Sequence, residues 1–153
     1  MKIEPRVTNP ASALLTTIFL CAAFVAPATA QQAQGTLVQT IDAWLFSPPS
    51  PDTAGATYLS DADTILLSDS EVNEIPALFT GDNLFEAGFT GNLIQTGSLI
   101  THTNEPTGVG YNSINTHIFI SDDNRKEIYE LDPGSDTLYG TDDDICYPAL
   151  VPK

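Results

Sequence analysis

From Ala54 onward the apolar residues come in short runs cut by turn residues. The alternation predicts strands at Ala54–Leu59 and Thr64–Ser68, joined by a turn at Asp61-Ala62-Asp63. It predicts two more at Asn83–Phe89 and Leu93–Thr96, joined by the tight turn Thr90-Gly91-Asn92. Ser70–Asp82, which contains Pro76, is a longer connection between the pairs. A second set follows at Thr107–Asn112, His117–Ser121, Lys126–Leu131 and Ile145–Tyr147. Each set is four short strands in meander order. Upstream, Thr36–Phe46 carries β-branched and aromatic residues and predicts a further strand, with Trp44 and Phe46 on one face and Trp44 as a core or packing residue, the other reading being a residue that lines a ligand pocket. Pro48, Pro49 and Pro51 then make a stiff, extended connection. No segment after residue 30 sustains a helical period, so the fold class is all-β.

The two sets are related by a repeat. Gly55, Tyr58, Ser68-Asp69 and Glu74-Ile75 recur 53 residues later as Gly108, Tyr111, Ser121-Asp122 and Glu127-Ile128. The third strands align differently. Leu84-Phe85-Glu86 matches Ile128-Tyr129-Glu130 at an offset of 44, so the first unit carries a longer connection before its third strand. Strand-rich modules repeated at this spacing predict stacked four-stranded units.

The second unit carries a family likeness. Pro106-Thr107-Gly108-Val109, a hydrophobic strand, then Ser121-Asp122-Asp123-Asn124-Arg125 and Ile128 resemble the NHL repeat. The first unit keeps Gly55 and Ser68-Asp69 of that pattern. The loop Asp132–Asp144 resembles the acidic loop after the third strand in exported gluconolactonase-like and phytase-like propellers. The resemblance covers roughly Asp52–Ile145. It implies two four-stranded antiparallel meander blades of a six-bladed type of β-propeller. A closed propeller needs at least four blades. The expectation is therefore an incomplete propeller, from a truncated or frameshifted gene or assembling with other chains. The resemblance also implies an alternative to a non-enzymatic binding or scaffold role. That alternative is a part of a calcium-dependent propeller hydrolase (phytase-, esterase- or lactonase-like) whose other blades are missing.

The first 30 residues have the order of a secretory signal peptide. Lys2 and Arg6 form a positive start, Ala11–Val25 is apolar, and Ala28-Thr29-Ala30 is a small-x-small cleavage site. Cleavage after Ala30 would export the protein to a periplasmic or extracellular location, with no membrane attachment afterwards. The chain then divides into 1–30 signal peptide, 31–51 N-terminal strand and Pro-rich linker, 52–100 first blade, and 101–153 second blade with acidic loop and C-terminal tail. Residues 31–153 hold 19 acids against Arg125, Lys126 and Lys153, a formal charge of −16. That surface repels nucleic acid and anionic membranes and suits cations. Self-association or an extracellular partner, through exposed blade edges, is the expected kind of protein contact. Cys146 is the only cysteine after residue 30, so no internal disulfide framework exists there. It is read as a buried strand residue, with an intermolecular disulfide as the other reading.

The candidate chemistry is concentrated in one loop. With Asp132 at position one, Asp136 falls at five, Leu138 at seven and Asp143 at twelve, partly the spacing of a twelve-residue calcium loop. Asp132, Asp136, Asp142, Asp143 and Asp144 are the candidate ligands for Ca²⁺. Gly134 supplies no side chain at position three, and Thr137 stands at six, where such loops take Gly. The competing reading is an acidic turn whose carboxylates bond nearby amides. Ser68-Asp69 and Ser121-Asp122-Asp123 are read as scaffold, because they recur at one repeat position, with a ring of acids around a central channel as the other reading. His102 and His117 are read as ordinary surface or edge residues, since neither has a neighbour at metal-ligand spacing. No nucleophile elbow, zinc helix or phosphate loop is present, and no catalytic residue is assigned.

Overall fold

The computed structural model describes residues 35–147. The expected signal peptide and the tail after Tyr147 lie outside them. Among the described residues, eight strands form two four-stranded antiparallel sheets, each in sequential order. The first holds β1 (Thr53–Leu59), β2 (Thr64–Asp69), β3 (Leu84–Ala87) and β4 (Leu93–Gly97). The second holds β5 (Pro106–Tyr111), β6 (Ile118–Asp122), β7 (Glu127–Asp132) and β8 (Ile145–Tyr147). All eight lie in the compact unit Leu37–Lys153. The all-β class and the eight strand positions agree with the sequence pattern.

The strand register reproduces both offsets of the repeat. Gly55 pairs with Ser68 as Gly108 pairs with Ser121. Leu66 pairs with Glu86, and Phe119 with Glu130. The nine-residue difference is taken up between β2 and β3, where the chain makes a 3-10 turn at Val72–Glu74. The turn between the first two strands repeats as well. Asp63 and Thr116 close it with positive φ, 55° and 61°.

Alternation along each strand divides the side chains between two faces. Leu59, Leu66 and Leu84 point from the first sheet towards the second, where Ile118, Ile120 and Leu131 meet them in one buried cluster with Leu99 and Tyr139. Burying each such aliphatic side chain contributes about 2 kcal/mol. Leu67, Phe85 and Ala87 point the other way and are covered by Phe46, with Ile41 and Ala43 beside it. The sheets approach closely through glycine. A Cβ on Gly55 would lie 2.8 Å from both Gly108 Cα and Val109 N, so any side chain there would strike backbone.

The Asp of each Ser-Asp pair is scaffold. Asp69 is buried and accepts from the amides of Asp52, Glu71 and Val72, at 2.9, 3.2 and 2.8 Å. Asp122 is buried and accepts from the amide of Arg125 at 2.7 Å. Both carboxylates hold the chain as it leaves the second strand.

The strand expected at Thr36–Phe46 is absent from the described residues. Ala43–Leu45 form a short 3-10 turn instead, capped by Asp42 Oδ1 accepting from Trp44 N at 3.2 Å. A strand requires a partner for its amides, and this segment lies over a sheet face rather than along an edge. The pairing of Trp44 with Phe46 fails for the same reason. Phe46 is buried, whereas Trp44 is 57% exposed and is not a packing residue.

Candidate functional site

The two sheets part at the end where their first hairpins turn. The gap is a cleft of about 340 Å³. Leu59, Asp61 and Glu86 come from the first sheet and its turn, Tyr111 and Thr116 from the second. The acidic loop supplies the remaining wall through Pro133, Thr137, Leu138 and Tyr139. Apolar and aromatic walls with a few polar groups are the usual composition of a small-molecule site.

The polar groups of the cleft are held in place. Glu86 is buried. Its Oε1 accepts from Thr64 Oγ1 at 2.6 Å and its Oε2 from Gln95 Nε2 at 2.6 Å. Tyr139 donates its hydroxyl to the carbonyl of Thr116 at 2.5 Å, which ties the acidic loop to the β5–β6 turn. Burial, with Tyr111 and Asp61 nearby, raises the Tyr139 phenol well above the ordinary tyrosine range. Tyr111 is raised too, first by burial and then by its hydrogen bond with Asp61. Both phenols therefore stay protonated at neutral pH and act as donors, not as bases.

The acidic loop closes on itself. Asp143 Oδ2 accepts from the amides of Ser135 and Asp136, at 2.8 and 3.3 Å, and from Ser135 Oγ at 2.8 Å. Its Oδ1 accepts from Thr141 Oγ1 at 2.8 Å. These bonds, led by Thr141 and Ser135, hold the Asp143 carboxyl well below the usual carboxylate range. Asp144 Oδ2 accepts from the amides of Gly140 and Thr141, at 2.7 and 3.3 Å, yet burial raises this carboxyl. Asp132 Oδ1 accepts from Gly134 N at 3.0 Å, and Asp136 Oδ1 from Leu138 N at 2.8 Å. Asp142 accepts no hydrogen bond among the described residues. Thr137 has φ 61°, the left-handed conformation that a calcium loop reserves for Gly at this position.

Four of the five candidate ligands thus point at the loop's own amides. Among the described residues no three acidic, histidine or cysteine side chains gather round one point suited to a metal ion. Each carboxylate keeps further acceptor sites beside the amides it holds.

One group was missed at sequence level. His117 is half-buried, with Nδ1 2.8 Å from Glu130 Oε1 and Nε2 3.4 Å from Asp132 Oδ2. Its ring stacks on Tyr147, with centroids 5.9 Å apart. It is not an ordinary surface residue. The repeat held the signal: His117 and Glu130 occupy the places of Thr64 and Glu86, the buried pair of the first sheet. His102 contributes its backbone carbonyl, which accepts from Arg125 Nη1. Cys146 is half-buried in β8 against the inter-sheet core, and burial pushes its thiol up. No family model matches the chain, and no curated protein shows significant similarity to it.

Proposed function

We propose that the protein is an exported, non-catalytic binding module built from two propeller-type blades, and that it binds a small organic cation in the cleft between them. The observation that carries the reading is the composition of that cleft. Tyr111 and Tyr139 face it with Leu59 and Leu138, and Asp61 and Glu86 supply negative charge. An aromatic wall beside carboxylates attracts cations, and the formal charge of −16 on residues 31–153 enriches them near the surface. The NHL-like pattern and the leader-like first 30 residues support the blade reading and export.

Benzyltrimethylammonium, an aromatic ring with a permanent charge, is a suitable probe. Titrated into the protein, it is expected to shift the ring resonances of Tyr111 and Tyr139 saturably. Tyr111→Ala is expected to weaken binding at least tenfold. Shifts that never saturate, or that spread evenly over the acidic surface, would reject the cleft as the site.

Ca²⁺ is proposed only as a weak ligand of Asp132–Asp144. The density of carboxylates supports it, and Asp142 accepts no hydrogen bond among the described residues. The bonds made by Asp143 and Asp144 oppose it. Affinity is expected at about 10⁻⁴–10⁻³ M, as in other extracellular modules. Calorimetric titration without heat at millimolar calcium would eliminate this ligand.

A further inference from the structure

We infer that Glu86 selects the ligand of the cleft, and that this ligand is a cation with N–H groups to donate, a primary ammonium in preference to a quaternary one. The inference rests on the reading of the cleft as a cation site and names the cation it takes. It follows from comparing three equivalent positions in the two sheets.

In the second sheet, Glu130 has a nitrogen donor and an aromatic ring beside it. Its Oε1 lies 2.8 Å from His117 Nδ1. The ring of His117 stacks on Tyr147, the residue that pairs with Glu130 on β8. In the first sheet Glu86 holds the place of Glu130, Thr64 that of His117, and Gln95 that of Tyr147. Thr64 Oγ1 and Gln95 Nε2 each donate to Glu86 at 2.6 Å, but neither side chain can carry a positive charge. Among the described residues no Lys, Arg or His forms an ion pair with Glu86. Glu86 is nevertheless only 7% exposed, and what remains open of it faces the cleft. A buried carboxylate without a cation is costly, and a cation brought to it offsets that cost. The repeat thus leaves Glu86 short of the partner that its counterpart finds inside the chain.

The hydrogen bonds of Glu86 set what the missing partner must offer. An ionised carboxylate has about four lone-pair sites, two on each oxygen. Thr64 occupies one on Oε1 and Gln95 one on Oε2, so each oxygen can accept one more donor. An N–H on a cation makes a short, charge-assisted bond to such a site. A quaternary ammonium has no N–H, and its methyl groups keep its charge at a distance. Thr64 also carries no ring, and the cleft of about 340 Å³ reaches Glu86 between walls that include Tyr111 and Tyr139. Those rings suit the body of either cation, so the carboxylate is what tells the two apart.

The test compares benzylammonium with benzyltrimethylammonium at neutral pH, each titrated into the full chain and followed through the ring resonances of Tyr111 and Tyr139. The two share one ring and one charge and differ in the N–H groups. The wild type is expected to bind benzylammonium at least about tenfold more tightly, the worth of a hydrogen bond to a charged group. Glu86→Gln keeps the shape of the side chain and can still bond to Thr64 and Gln95. It is expected to bring the two affinities together. Thr64→His gives Glu86 the kind of partner that Glu130 has, and it is expected to remove the preference as well. Saturable binding of benzyltrimethylammonium by each variant shows that its cleft is intact. Equal, saturable binding of the two cations by the wild type overturns the inference and leaves the cleft a cation site. So does a preference that survives Glu86→Gln. A wild type that binds neither cation saturably overturns this inference and the reading of the cleft together.

Discussion

The hydroxyl of Thr103 donates to Oδ2 of Asp122 at 2.6 Å, as the hydroxyl of Ser50 donates to Oδ2 of Asp69 at 2.7 Å. Each bond closes a 19-residue separation. Each ties the chain entering a sheet to the carboxylate at the end of that sheet's second strand. Asp69 carries more, since the amides of Asp52, Glu71 and Val72 also depend on it. Asp122 holds Thr103 and the Arg125 amide. Asp69→Ala is therefore expected to cost about 3–4 kcal/mol, because several buried donors lose their acceptor. Asp122→Ala is expected to cost about 2 kcal/mol. Urea midpoints of the two variants check the order, and equal losses would contradict it.

Glycine at position 55 is required by what lies across the interface, and the strand itself does not demand it. Gly55→Ala puts a methyl group 2.8 Å from two backbone atoms of the second sheet. Backbone cannot rotate aside, so the sheets must separate. The expected loss is about 2–3 kcal/mol. Gly108→Ala meets the Ser121 hydroxyl at 2.7 Å, and a side chain can turn away. Its expected loss is below about 1 kcal/mol. Thermal unfolding of the two variants under one set of conditions separates these outcomes.

The Ser50–Asp69 bond explains where sequence reading stopped short. The repeat was visible from Asp52 onward through identical residues. Ser50 and Thr103 differ in type, and Ser50 sits in a run of prolines that reads as a linker. Their equivalence lies in a hydroxyl, which identity matching does not detect. The eight strands were legible because turn residues and apolar runs alternate, and the 44-residue offset followed from Glu86 and Glu130. Thr36–Phe46 misled because strand composition is not sufficient without a partner edge. In the acidic loop, composition showed where the carboxylates are. Which amides they accept from depends on the path of the loop between Gly134 and Asp144, and spacing alone does not give that path.

The serines of the repeat provide an internal control. Ser121 Oγ lies 3.2 Å from Thr107 Oγ1. Its counterpart Ser68 is buried without a hydrogen-bond partner, because Ala54 stands where Thr107 stands. A buried hydroxyl without a partner loses its hydration and gains nothing in return. Ser68→Ala is expected to be neutral or stabilising by up to about 1 kcal/mol, and Ser121→Ala to cost about 1 kcal/mol. Chemical denaturation of both variants reads the difference. A larger loss at Ser68 would show that its hydroxyl has an unrecognised partner.

Acid should reach Asp144 and Asp143 of the loop Asp132–Asp144 in separate steps. Burial raises the Asp144 carboxyl, against the pull of the Gly140 and Thr141 amides, so it takes up its proton before Asp143 as pH falls. The hydrogen bonds from Thr141 and Ser135 lower the Asp143 carboxyl, so it is protonated after Asp144. The two have opposite effects on stability. A folded-state value below the unfolded one makes Asp143 stabilising above the ordinary range near about pH 4, and that contribution is lost as pH falls through its lowered value. A raised value makes ionised Asp144 a burden that acid relieves. Protonating Asp143 removes the charge that the Ser135 and Asp136 amides donate to. Carboxyl resonances followed by NMR from pH 6 down to pH 2 are expected to show Asp144 titrating above Asp143. Exchange of the Ser135 and Asp136 amides should rise with the Asp143 step and not with the Asp144 step. If Asp143 titrates together with Asp144, its carboxylate is not what closes the loop.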